Sequence, residues 1–230
     1  MRLPAFGRVK NEYDRAFMER MAQAYVDQTP WTEIRLAAVR DLVEPKPGDR
    51  VVDLGCAAGA ITHYLTSFGC EVVGVDSEPL AIEAATDLFP DLRFELADVT
   101  RLPFDDASLD KAVAADLVEH LDHATFAGML AEVKRVLVPG GTLSLYTPNP
   151  LHLVERMKEH DLVLAQNPTH IGLRNARELT AGLEQAGYEI EVNSWRPSFV
   201  RVLRSVERIA GPRLQLFRYR LCLRARVPER

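Results

Sequence analysis

Five short apolar runs, near residues 50–54, 71–75, 92–96, 109–115 and 141–147, predict strands, because each is too short for a buried helix and is bounded by turn-forming residues. Between them the apolar spacing lengthens to three and four, which predicts helices near 59–68, 79–88 and 122–137. Strands alternating with helices imply a parallel sheet covered on both faces. Upstream, Phe17, Met21, Ala24 and Tyr25 share one helical face, and Ile34, Leu36, Val39 and Leu42 another, so two helices precede the sheet. The break Glu44-Pro45-Lys46-Pro47-Gly48-Asp49 then launches the first strand. Residues 148–187 are too long for a simple connection and carry two helical patterns, Leu151 to Val163 and Ala176 to Ala186, the second ending at Gly187. We read this segment as an insertion above the sheet. Tyr188 to Trp195 reads as a strand, Phe199 to Ala210 as a helix, and Leu214 to Val227 as a last strand closing a hairpin.

The first strand carries the most informative loop. Val51-Val52-Asp53-Leu54-Gly55-Cys56-Ala57-Ala58-Gly59 runs from strand through small residues into a helix start, where unpaired N–H groups accept a nucleotide-type ligand. Dinucleotides and S-adenosylmethionine both fit such a loop. Asp76 ends the second strand seventeen residues after Gly59, where a carboxylate accepts from both hydroxyls of a ribose. Asp98, in Leu96-Ala97-Asp98-Val99, ends the third strand and is placed to accept from an adenine amino group. The competing role for each aspartate is a strand-end or turn cap.

Farther on, the chain reads Leu102-Pro103-Phe104-Asp105-Asp106, then Asp116-Leu117-Val118-Glu119-His120-Leu121, then Arg135-Val136-Leu137-Val138-Pro139-Gly140-Gly141. With these segments the sequence resembles the class I S-adenosylmethionine-dependent methyltransferases, specifically the small-molecule group of ubiquinone and antibiotic biosynthesis. The resemblance covers residues 49 to 147 firmly and runs loosely to about 195. It implies a Rossmann-like α/β fold: a seven-stranded, mostly parallel sheet with helices on both faces and an antiparallel last strand. It further implies that Gly55, Ala57 and Gly59 flank the methionine part of S-adenosylmethionine and that Asp53 holds its ammonium. Asp76 would take the ribose, Asp98 with Val99 the adenine, and Asp116 would lie near the sulfonium. Position 57 departs from the family, which has glycine there. An alanine fits at negative φ and otherwise crowds the methionine end.

A nicotinamide-dependent oxidoreductase would explain Gly55 to Asp76, but not an acid before the loop, the acid at 98 or the Pro-Gly-Gly turn. Thr147-Pro148-Asn149-Pro150 follows the wrong strand for a nucleic-acid amino methyltransferase motif and reads as a turn. A protein that binds the cofactor without transferring methyl is the alternative of another class. Methyl transfer from a sulfonium needs an aligned nucleophile, and a base only when the acceptor is protonated. His120 and His170 are the candidate bases, since a neutral imidazole accepts a proton near pH 7. Tyr13, Trp31 and His170 are the expected substrate-pocket residues, with Phe17 beside them. Oxygen is the expected acceptor atom, with nitrogen or carbon as alternatives.

Composition narrows the class without changing it. At 230 residues, 47% apolar and 27% charged, the chain suits one globular domain: helical cap 1–47, cofactor half 48–147, lid 148–187, and C-terminal strands and helix 188–230. The absence of an apolar leader or long apolar run makes a cytoplasmic protein the expectation. Cys56, Cys70 and Cys222 read as packed thiols, with no metal cluster implied. Net charge is −5, yet from Arg196 ten arginines face two glutamates, a net of +8 that leaves −13 for the rest. The arginines alternate with Leu216, Leu221, Leu223 and Val227, so we expect a structural strand and no nucleic-acid or membrane partner. A homodimer is left open.

Overall fold

The computed structural model describes residues 18, 20, 23–25, 27, 29–159 and 167–229. Tyr13, Phe17, Met21 and His160 therefore lie outside the described residues. Seven strands form one sheet: β1 Arg50–Leu54, β2 Glu71–Asp76, β3 Arg93–Leu96, β4 Leu109–Ala115, β5 Leu137–Pro148, β6 Glu189–Arg196 and β7 Arg220–Arg226. Their order is β3-β2-β1-β4-β5-β7-β6, parallel from β3 to β5, with β7 antiparallel to both β5 and β6. The seven-stranded, mostly parallel expectation is met, and the last strand slots between its two neighbours.

The helices are α1 Pro30–Val43, α2 Ala60–Thr66, α3 Pro79–Leu88, α4 His123–Val136, α5 Leu153–Glu159, α6 Ala176–Gln185 and α7 Arg201–Ala210. Strand residues alternate between two cores. Val51 and Val113 pack with Val39, Leu42, Ile61 and Leu65 of α1 and α2 on one face. Val52, Leu54, Ala112 and Ala114 pack with Met129, Leu130 and Val133 of α4 and Leu179 and Leu183 of α6 on the other. Thr29 caps α1, with Pro30 at its first position, while a capping box of Asn175 and Glu178 starts α6.

Two elements differ from the sequence expectation. The Pro139-Gly140-Gly141 turn lies inside a longer β5, where the register with β4 jumps from Leu109↔Leu137 to Lys111↔Thr142. Gly140 N–H and Gly141 C=O bond Val227, so β7 takes over the pairing that the bulge drops. The strand read as Leu214 to Val227 begins only at Arg220, because a 3-10 turn at Gln215–Phe217 precedes it. Most C-terminal arginines are engaged within the fold: Arg224 with Glu44 and Glu191, Arg226 with Glu189, Glu191 and Glu229, and Arg196 with Asp41. The helix α7 has an apolar outer face, with Val202 80% and Ile209 76% exposed. Among the described residues no helix is long and apolar enough to cross a membrane.

Candidate active site

Parallel strands place their C-terminal ends, and the loops that follow, on one side of the sheet. The loop after β1 is built almost entirely from backbone. Gly55 takes φ +68° and Gly59 +78°, and a Cβ on Gly55 would sit 2.8 Å from Leu117 Cδ1. Ala57 also lies in the left-handed region, at φ +47°. The alanine is thus seated in the crowded geometry and not the relaxed one. Its N–H donates to Asp76 Oδ2 at 3.0 Å, while Glu78 N–H donates to Asp76 Oδ1 at 3.0 Å. Asp76 therefore clamps the loop after β1 with one oxygen and its own turn after β2 with the other, and still lines the cavity beside them. That hydrogen bond offsets the strain of a side chain in this region.

The other two strand-end acids stand back from the cavity's lining. Asp53 is 1% exposed beneath the loop and accepts from Thr62 Oγ1 at 2.7 Å. Burial pushes its carboxyl up to about 6, against the opposing pull of Thr62 and Arg35. Asp98 is exposed, with Val99 buried beside it, and accepts from Thr100 N and Oγ1, both at 2.7 Å. These bonds hold the turn after β3 and lower its carboxyl. Gly59 also lies outside the lining.

The facing wall is assembled from distant parts of the chain. Asp116, immediately after β4, has φ +58° and donates its N–H to Tyr146 O. Its carboxylate accepts from Arg35 Nε of α1 at 2.7 Å and from Arg220 Nη1 of β7 at 2.8 Å. Burial alone would raise this carboxyl, but Arg220 and Arg35 outweigh it and hold it below the ordinary range. A 3-10 turn, Val118–His120, then presents Glu119 and His120. Glu119 is 1% exposed, accepts from Thr147 Oγ1 at 2.9 Å, and is pushed up to about 8 by burial and by the charge of Asp116.

The insertion supplies the rest. Gly172 N–H donates to Glu119 O, and the buried Arg174 guanidinium donates to Val118 O and Leu121 O, pinning the segment to the turn. His120 and His170 then meet edge to face, ring centroids 4.9 Å apart. Burial, with His120 adjacent, pushes the His170 imidazole down to about 4. Ring nitrogens of both histidines and a carboxylate oxygen of Glu119 lie within 4.8 Å of one another. Trp31 and Arg35 close the cavity at α1, and its volume is about 550 Å³. Of the expected residues, Gly55, Ala57, Asp76, Asp116, His120, His170 and Trp31 are brought together. Arg35, Glu119, Thr169 and Arg220 were missed. Glu119 stood beside His120 in a quoted motif, whereas Arg35 and Arg220 gave no local signal.

The methyltransferase domain family matches residues 51–141, the stretch from β1 into the bulge of β5. A probable S-adenosylmethionine-dependent methyltransferase of Mycolicibacterium smegmatis is 30% identical over 174 residues, 75% of this chain and 65% of its own length. The match over residues 51–141 and this relative support a class I S-adenosylmethionine-dependent methyltransferase domain. Chloroplastic tocopherol O-methyltransferase of Arabidopsis thaliana is 34% identical over 122 residues, half of this chain and 34% of its own length. The chain thus spans less than two thirds of the length of these relatives. In fold it is similar to Haemonchus contortus phosphoethanolamine N-methyltransferase 2 in complex with S-adenosyl-L-methionine, with TM-score 0.71 at 17% identity, covering 96% of this chain and 59% of that one.

Proposed function

We propose that the chain binds S-adenosylmethionine and transfers its methyl group to a small-molecule acceptor, with oxygen as the receiving atom. The observation that carries this is one cavity lined both by the Gly55–Ala57 loop with Asp76 and by the His120–His170 pair. Its size falls within the roughly 300–1,000 Å³ usual for small-molecule sites. The donor set suits the cofactor, since carboxylates take hydroxyl and ammonium protons and a glycine loop admits close approach of the main chain. When bound, S-adenosylmethionine supplies a methyl group on a sulfonium: the oxygen–carbon bond forms as the carbon–sulfur bond breaks, and that electron pair stays on sulfur.

The chain's own residues divide the remaining work. Asp76 takes the ribose, Asp98 and Val99 the adenine side, Asp53 lies beneath the loop at the ammonium, and Asp116, held by Arg35 and Arg220, lies near the sulfonium. His120 Nδ1 faces Thr169 O at 3.2 Å and Thr169 Oγ1 at 3.0 Å. That hydroxyl donates to Asn167 Oδ1 at 2.8 Å, so it accepts from His120, which places the proton on Nδ1 and the lone pair on Nε2. His120 is therefore the better proton acceptor of the pair, because His170 is held to about 4 and is a weak base. We expect His120→Asn to lower turnover roughly 100- to 10,000-fold with cofactor affinity intact. Calorimetry with S-adenosylmethionine, followed by a search for S-adenosylhomocysteine formation over a panel of hydroxyl, amine and carbon acceptors, tests the reading. No binding, or tight NAD binding, would overturn it; binding without turnover on any acceptor would favour the non-catalytic alternative.

A further inference from the structure

The histidine pair has a third member that methyl transfer by positioning and base alone does not use. Glu119 is buried against the same cavity, one residue from His120 in sequence and with a carboxylate oxygen within 4.8 Å of a ring nitrogen of each histidine. We propose that Glu119, His120 and His170 form a binding site for one divalent transition-metal ion, placed to receive the acceptor's oxygen. The inference deepens the proposed methyl transfer and rests on it for the identity of that oxygen; with the ion bound, His120 serves as a ligand in place of acting as the base, and the ion site itself stands on geometry.

Three points no more than 4.8 Å apart always share a point within about 2.8 Å (4.8/√3) of each. An ion there needs its ligands drawn in by less than an ångström to reach the roughly 2.0–2.2 Å of zinc bonds to imidazole nitrogen and carboxylate oxygen. Rotations of three side chains supply a shift of that size.

The surroundings are those that metal ligands require. A ligating imidazole gives its other N–H to an oxygen acceptor, which orients the ring and sets the tautomer. With Nε2 as its ligand atom, His120 would do so toward Thr169, whose carbonyl and hydroxyl both face Nδ1, while Asn167 accepts from that hydroxyl. Glu119 is oriented by Thr147 through one carboxylate oxygen. The neighbouring cations do not compete for Glu119 by direct bonding, since Arg35 and Arg220 both bond Asp116. Two imidazoles and a carboxylate suit zinc, manganese, cobalt or iron better than magnesium or calcium, which prefer all-oxygen sites. Three protein ligands also leave coordination positions open toward the cavity, the pattern of a catalytic and not a structural site.

The chemical consequence concerns the proton. A cation holding the acceptor hydroxyl acidifies it, so the proton leaves to solvent before or during attack and the oxygen's electron pair forms the bond to the methyl carbon. The carbon–sulfur pair stays on the donor's sulfur, and the ion undergoes no redox change.

The test uses the tag-free chain stripped with chelator, titrated with zinc and with cobalt(II) by calorimetry, the cobalt visible spectrum reporting nitrogen ligation. One ion per chain is expected, with affinity weakened in His120→Asn, His170→Asn and Glu119→Gln by more than the roughly 10- to 100-fold typical of losing an outer-shell partner. His123→Asn, at an exposed helix start, should bind as the parent does. Circular dichroism and melting of each variant confirm folding. If one ligand variant fails to fold, the other two still decide. Weak binding in the parent, or equal affinity in folded ligand variants, would overturn the site. S-adenosylmethionine binding measured on the same samples separates the failures: cofactor without metal overturns only this inference, while metal without cofactor overturns the methyl-transfer reading.

Discussion

The two walls of the cavity are held by different forces over different sequence distances. The cofactor-side loop is fixed by main-chain geometry and by one carboxylate nineteen residues away, with Asp76 taking the N–H of Ala57. The facing wall is held by charge: Asp116 joins Arg35 and Arg220, 81 and 104 residues distant. Backbone-to-carboxylate bonds at an open loop cost less in stability when one is lost, because water can replace the partner. Partly buried ion pairs behave otherwise, since removing one partner strands the others in a poor solvent.

The largest expected effect therefore falls on the charged wall. Asp116→Ala should destabilise the chain by about 3–5 kcal/mol, because two guanidinium groups, each only 12–13% exposed, lose their carboxylate together. Denaturant unfolding measures this. If Asp116→Ala costs less than about 1 kcal/mol, the two walls do not differ as described.

On the opposite wall the effect should appear in binding before stability. Asp76→Ala is expected to weaken S-adenosylmethionine by roughly 30- to 1,000-fold, the loss of two hydrogen bonds to a charged acceptor worth about 2–4 kcal/mol. The structure adds that the same change frees the N–H groups of Ala57 and Glu78, so part of the loss comes from a looser loop. Asp76→Asn, which retains one acceptor oxygen, should recover part of the affinity; equal affinities for the two variants would assign Asp76 to the ribose alone.

The same contrast explains what the sequence reveals. Gly55, Ala57, Asp76 and the alternation of strand and helix are legible because backbone turns and strand ends are local properties with local residue preferences. Seven strands and both helical faces follow from such patterns. Arg35 and Arg220 are not legible, since an arginine on an amphipathic helix and one in a basic strand look like solvated charge until the fold closes Asp116 between them. Glu119 is an intermediate case: its motif is visible, but an acid in a polar-looking turn gives no sign that Thr147, Gly172 and Arg174 seal it from water. The outer face of α7 makes the same point, as Val202, Val206 and Ile209 share a helical stripe that nonetheless stays exposed.

Asp53 links the walls and yields a pH prediction. Its folded carboxyl titrates near 6, above its ordinary 3.8, so the folded state holds the proton more tightly than the unfolded state. The associated stability is present below about pH 3.8 and is lost as pH rises through about 6, a change of roughly 2–3 kcal/mol. Asp53→Asn keeps an acceptor for Thr62 without the charge, so its stability relative to the parent should improve across pH 4 to 6 and level off above. Bound cofactor should reverse this, since an ammonium beside Asp53 favours the carboxylate. A stability difference between parent and variant that does not change with pH would remove Asp53 from the titrating groups.

The smallest effect tests whether the loop is held in the way proposed. Ala57 occupies φ +47°, where a side chain costs about 1–2 kcal/mol, and Ala57→Gly removes that cost. Glycine gives back roughly 0.4–1 kcal/mol through the greater freedom of its unfolded chain. The net gain should be about 0.5–1 kcal/mol, a rise in melting temperature of roughly 1–4 °C at this size. Because Ala57 lines the cavity, the variant, with no side chain there, should also bind S-adenosylmethionine at least as tightly as the parent. Asp76 supplies the control: in an Asp76→Ala background nothing clamps the N–H of residue 57, the alanine can relax to negative φ, and the stabilisation by glycine should vanish. If glycine stabilises equally in both backgrounds, Asp76 does not hold the strained residue and the loop's conformation comes from its flanking glycines.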